Sequence, residues 1–214
     1  MRLPCTSGTH KEKNKREIAN TLSYFFLYTL AIAFTYFYLG LTAEFFTLEL
    51  GQFSVINPQT GFALLVCLYF GGKALFGIGF GAFFVYINFF SLSWSQVNLM
   101  WFAPLLIASS VVLQIYIAMR LIKQFILLQP ELFSFKTIVR LITIFVPITC
   151  LVTATISLIV FHFTDFKVNE GLLNIWAIWW LADFIGTMIF IPIIIAIVFM
   201  DTRFKKLISF LINL

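Results

Sequence analysis

Charge is what this sequence has least of. Only 11% of its 214 residues are Asp, Glu, Lys or Arg, where a soluble globular domain carries about 25%. That scarcity excludes an ordinary water-solvated surface. Cysteine is scarce too. Cys67 and Cys150 lie inside apolar runs and Cys5 lies in a charged amino-terminal tail, so no disulfide is expected. The two histidines, His10 and His162, fall far apart, and no metal-binding constellation is expected. Phosphate loops, zinc helices, nucleophile elbows and kinase motif sets are missing. The chain is therefore not read as an enzyme, and no cofactor is expected.

What is abundant is apolar length. Hydrophobic residues make up 61% of the chain, 28 residues are Phe, and the mean hydropathy is +1.00. A spanning helix needs about 17–25 mostly apolar residues. Six spans fit: about 19–41, 55–70, 74–90, 99–121, 137–163 and 172–200. The expected fold is an all-α integral membrane bundle of about six transmembrane helices. A polar tail (1–18) precedes it, and an interfacial or cytoplasmic segment (201–214) follows. The basic cluster Lys11, Lys13, Lys15 and Arg16 leads directly into a full-length span, unlike a signal peptide.

The few charges are sorted. All Lys and Arg except Lys167 fall in alternate gaps between the apolar runs. One side receives the amino-terminal cluster, Lys73, Arg120, Lys123, Lys136, Arg140, Arg203, Lys205 and Lys206. The other receives Lys167 with Glu44, Glu49, Asp165 and Glu170. Lys and Arg favour the cytoplasm, which predicts both termini there and a multi-pass membrane protein. Trp94, Trp101, Trp176 and Trp179 sit near the opposite ends of the spans, where indoles prefer the interface. The net charge of +5 is spread over short loops. It reads as topology and lipid contact, not as a nucleic-acid surface.

Asp183 is the only acid deep in a span. It lies about 16 Å along its helix from Leu172, near mid-bilayer. A charge there costs at least about 2.5–3.5 kcal/mol, so it is expected to face the bundle interior, paired or protonated. Trp176, Trp179, Trp180, Gly186 and Thr187 share or adjoin its face. Two readings stand level: a ligand or proton site capped by indoles, and a structural clamp to a neighbouring helix. The second candidate is Asn57-Pro58-Gln59-Thr60-Gly61, with Pro58, Thr60 and Gly61 as binding or signalling residues. Helix amino-termini inside transporters mark binding sites, although an ordinary start at the outer interface is the simpler reading. The short second span also permits a broken segment shielded by protein. Gly77, Gly79 and Gly81 lack the strand and acid of a nucleotide loop and read as helix packing, as do Gly186 and Pro192. Lys73 reads as a topology determinant.

Two stretches together resemble a known family. One runs Asn57-Pro58-Gln59-Thr60-Gly61 through the turn ending at Lys73 to Gly77, Gly81 and Ala82. The other holds Trp176, Trp179, Asp183, Gly186 and Pro192. The order is similar to that of the bacterial membrane-associated sensor domain of the first MASE type. The departures are Asn57 in place of Trp, Gln59 in place of Pro and Ala182 in place of Gly. The resemblance implies a sensory input module of signal transduction, including two-component systems. Its partners would be a histidine kinase, a diguanylate cyclase or a phosphodiesterase output, none of which is in this chain, or a second copy of itself. The family is often drawn with eight spans, against the six that the charges support. The alternative is a small-molecule-binding component of a transporter, similar in size to the substrate subunits of energy-coupling-factor systems.

Overall fold

Apolar runs with no solvent to satisfy their amides must become helices, and they do. The computed structural model describes residues 7–47, 54–90, 102–128, 135–164 and 171–200. Its helices are α1 (Ser7–Ala43), α2 (Pro58–Phe70), α3 (Ala74–Phe89), α4 (Phe102–Leu128), α5 (Phe135–Phe163) and α6 (Leu172–Met200). Among the described residues the nearest thing to a sheet is one antiparallel bridge, Thr47 to Ser54. Lys167, Glu49, Asp165, Glu170, Trp94, Trp101, Arg203, Lys205 and Lys206 lie outside the described residues.

The ends of the expected spans move for physical reasons. α1 begins at Ser7, inside the segment expected as a polar tail, and α4 continues to Leu128. Helical amides remain satisfied past the lipid boundary, so apolar length marks the membrane rather than the helix end. α2 starts at Pro58, three residues later than expected, because Asn57 is not helical (φ −111°, ψ 81°) and Pro58 suits a first helical position. Gly71, with φ +78°, ends α2, and a single turn of 3-10 helix (Gly71–Lys73) leads into α3. Left-handed φ is where glycine is favoured.

Contacts fix the direction of each helix. Thr29 and Ile32 lie opposite Gly77, and Ala33 and Tyr36 lie opposite Gly81, so α1 and α3 run parallel. Phe70 rests on Tyr28, with ring centroids 4.7 Å apart, and the start of α2 shares a cavity wall with Ala43 and Glu44. Hence α2 runs opposite to α1. It runs parallel to α6, because Asn57 meets Ala182 and Gly61 meets Gly186 and Phe190. α5 runs opposite to α6, since Trp176 meets Thr155 and Trp180 meets Pro147. Together these directions collect Lys73, the amino end of α5 and the carboxyl end of α6 at one end of the bundle. That basic end is the one expected from the alternating charges.

Five stretches are long and apolar enough to cross a membrane, and one of them, Pro58–Phe89, holds both α2 and α3. With 13 and 16 residues, these two helices are about 20 and 24 Å long, short of a hydrocarbon core of about 30 Å. α2 can begin inside the bundle only because protein covers it. Gln59, Thr60 and Gly61 are all buried.

Burial is sorted as lipid requires. Phe34, Phe76, Phe80, Leu106, Ile148 and Ile189 are exposed, while Thr153, Ser157, Gln114 and Asp183 are buried. Apolar side chains face outward and polar ones turn in, because hydrocarbon solvates only the former. Tyr36, Leu64, Ile78, Ile115 and Ile142 fill the interior between them.

Candidate functional site

The site is built where α2 begins against the middle of α6. α6 passes this point as uninterrupted helix, and α2 starts there with its first turn unpaired along its own axis. The Asp183 carboxylate meets that turn. Its Oδ1 accepts hydrogen bonds from Asn57 Nδ2 at 2.9 Å and from Thr60 Oγ1 at 2.8 Å. A backbone bond joins the same helices, with Asn57 N–H donating to the Ala182 carbonyl at 3.1 Å. The Thr60 amide bonds the Asn57 carbonyl at 3.1 Å, closing the first turn. The start of α2 is thus tied to another helix and not capped by its own side chain. This differs from the simpler reading of Asn57–Gly61.

Close approach makes these bonds reachable. Gly186, one turn below Asp183, lies against the Asn57 carbonyl and Pro58 N. Gly61 faces the Gly186 carbonyl and the Phe190 ring. A side chain at either position would hold the helices apart, which is the packing logic of small residues in lipid. Gly77 and Gly81 do the same for α3 on α1. Pro192 lies inside α6 on its exposed side, and Lys73 is exposed at the basic end.

The three tryptophans separate. Trp179 is buried and packs on Tyr86, Phe89 and Phe161, with ring centroids 6.0, 6.2 and 5.3 Å away. Trp176 and Trp180 stack in a ladder with Phe184, their planes nearly parallel at 8° and 12°. Their indoles point to α5: Trp180 Nε1 donates to the Pro147 carbonyl at 2.8 Å, and Trp176 Nε1 to Thr155 Oγ1 at 3.2 Å. The ladder ties α5 to α6 and does not cap the carboxylate. Trp180→Phe is expected to lower stability by about 0.6 kcal/mol, the mean for an intramembrane hydrogen bond, with Trp176→Phe smaller. Thermal midpoints in detergent check this.

Other residues join the site that spacing alone does not single out. Gln114 of α4 flanks the carboxylate, and Tyr36, Tyr86 and Cys150 lie within its electrostatic reach. Gln114 Nε2 contacts Cys150 Sγ at 3.4 Å. Gln59 Oε1, Gln114 Oε1, Thr153 Oγ1 and Ser157 Oγ are buried and accept no hydrogen bond from protein. One available signal was Gln114 itself, the only amide side chain in the apolar run Phe102–Met119. No group of three metal-ligating side chains forms among the described residues.

The sequence agrees with one family across most of the chain. The MASE1 family model matches residues 27–206. The chain belongs to the MASE1 family. It is a multi-pass membrane sensory input domain of signal transduction, a class that is not catalytic. No curated protein and no solved structure matches it. In this MASE1 domain the motif residues Pro58, Thr60, Gly61, Asp183 and Gly186 meet at one helix crossing.

Proposed function

We propose that the α2–α6 crossing is the sensing element, and that a stimulus there is passed along α6 to an output domain or partner at the basic end. The basic end lies in the cytoplasm of a bacterial inner membrane, following the charge bias. The observation that carries this reading is the clamp itself. A helix start inside the bundle is held to α6 by two side-chain bonds to one carboxylate and one backbone bond. Such a start has a second arrangement within reach, and a ligand that favours one arrangement shifts α6 by its differential affinity. α6 continues as helix from the clamp to Met200, so a displacement at Asp183 reaches the basic end. Buried polar atoms of Gln59 and Gln114 beside the clamp supply the internal instability that a switch needs.

The test is a fusion of the chain to a diguanylate cyclase or histidine kinase output after α6. At equal membrane abundance, Asp183→Asn is expected to change basal output by about five-fold or more, the lower bound of ordinary allosteric coupling. Unchanged output would remove the clamp from signalling.

A further inference from the structure

The acidic end of the bundle holds a cavity of about 80 Å³. It lies between the ends of α1 and α3 and the first turn of α2. Its chemistry is one-sided. Glu44 supplies a carboxylate, and among the described residues the lining includes no Lys, Arg or His. Two amides in the wall have already turned a nitrogen to a carboxylate: Asn88 Nδ2 donates to Glu44 Oε1 at 3.0 Å, and Asn57 Nδ2 to Asp183 Oδ1 at 2.9 Å. Each keeps a side-chain carbonyl oxygen as an acceptor and a second N–H. Gln59, 6% exposed, also lines the cavity, and its Oε1 has no partner in the protein. Tyr86, Phe89 and Trp179 form the aromatic part of the wall, and the rest is aliphatic or hydroxylic. Trp179 stands 6.0 Å from Tyr86 and 6.2 Å from Phe89 between ring centroids.

One carboxylate, a buried amide oxygen without a partner and no basic side chain among the described lining residues suit a cation. We propose that this cavity binds a small organic ammonium ion. Its N–H groups would meet Glu44 and the amide oxygens, and its alkyl part and charge would lie against the indole and phenol faces. An anion finds no positive side chain among the described lining residues. A neutral apolar ligand would leave the carboxylate and amide oxygens stranded. The space accommodates a small ion such as methylammonium, whose three N–H donors suit the carboxylate and amide oxygens, whereas a quaternary ion such as tetraethylammonium has no N–H to offer them.

Occupancy bears on the clamp because Asn57 belongs to both. A cation drawing on the Asn57 carbonyl strengthens its amide as a donor to Asp183 and holds α2 on α6. As a stimulus the ion rests on the coupling proposed above, but its binding does not.

The full chain in lipid nanodiscs is titrated with methylammonium chloride against sodium chloride at matched ionic strength. Heat of binding and thermal midpoint are both read. The expected result is saturable binding and stabilisation by methylammonium, with none from sodium or tetraethylammonium. Glu44→Gln, on an exposed side chain, is expected to weaken binding about ten-fold, the scale of one charge-assisted hydrogen bond. Trp179→Leu would lose the aromatic face, with Trp180→Leu as its control. Absence of saturable binding, equal response to sodium, or unchanged affinity in Glu44→Gln overturns the proposal. If methylammonium binds and the fused output does not respond, the coupling fails while the site stands.

Discussion

Gly186→Ala is expected to be among the most damaging single-methyl changes in the protein. An added Cβ would occupy the space of the Asn57 carbonyl, with Pro58 N only 3.1 Å away. The obstacle is backbone, which has no rotamer to change. Relief requires lifting the start of α2 from α6, and that breaks the Asn57–Ala182 backbone bond and strains both bonds to Asp183. Overpacking a well-filled interior costs about 1–3 kcal/mol. With the clamp lost as well, about 3 kcal/mol or more is expected. For a chain of this length that is a fall of roughly 6–12 °C in thermal midpoint. Gly79→Ala is the control, since its Cβ meets only the end of the Val112 side chain at 3.2 Å. Gly72→Ala is a second control with nothing within 4 Å. If Gly186→Ala melts no lower than Gly79→Ala, the α2–α6 crossing is not as close as described. Gly61→Ala and Gly186→Ala should also combine less than additively, because either one alone opens the same interface.

That crossing marks how far a single sequence can be read. Helix count was legible because lipid imposes a length on apolar runs. The span expected at 172–200 coincides with α6, and that at 74–90 with α3 within one residue. Asp183 was legible as an interior residue because an acid in lipid has few other places to be. Its partners were not. Depth along a helix can be counted, but which neighbouring helix lies across from it depends on the packing of the whole bundle. Asn57 opened the second candidate segment but was given no role of its own there, yet it makes the carboxylate bond, the backbone bond to Ala182 and part of the cavity wall. The tryptophans show the same limit in reverse. Offsets of seven, four and three residues place all three near the Asp183 face, but that face is broad enough to touch α3 and α5 at once. Trp179 packs on Tyr86 and Phe161, whereas Trp180 reaches the Pro147 carbonyl. The depth of α2 was obscured for a related reason. Counting along α6 put Asp183 near mid-bilayer, and a helix start was expected at the surface. α2 is short, and its first turn sits at the level of Asp183.

The second large effect is expected at Asp183, where two substitutions separate structure from signalling. Asp183→Ala removes the acceptor for Asn57 Nδ2 and Thr60 Oγ1 together. Intramembrane hydrogen bonds average about 0.6 kcal/mol and reach about 1.7 kcal/mol, because the unfolded chain in lipid also finds partners. Two such bonds, plus a small void beside a backbone that cannot collapse onto it, give an expected loss of about 2–3 kcal/mol. Asp183→Asn keeps an oxygen at the same place and can accept both bonds, so it is expected to retain most of that stability. The pair therefore tests whether the carboxylate is needed only as an acceptor. Thr60→Val supplies the cycle. If Asp183 and Thr60 act as one unit, the double variant Asp183→Ala with Thr60→Val falls by less than the sum of the two single variants, by about 0.5 kcal/mol or more. Full additivity would mean that the 2.8 Å bond does not hold α2 in the membrane. Should Asp183→Asn melt like the parent chain yet alter the fused output, the charge or its proton belongs to signalling. The clamp would then be the mechanical part of the switch and the carboxyl proton its control.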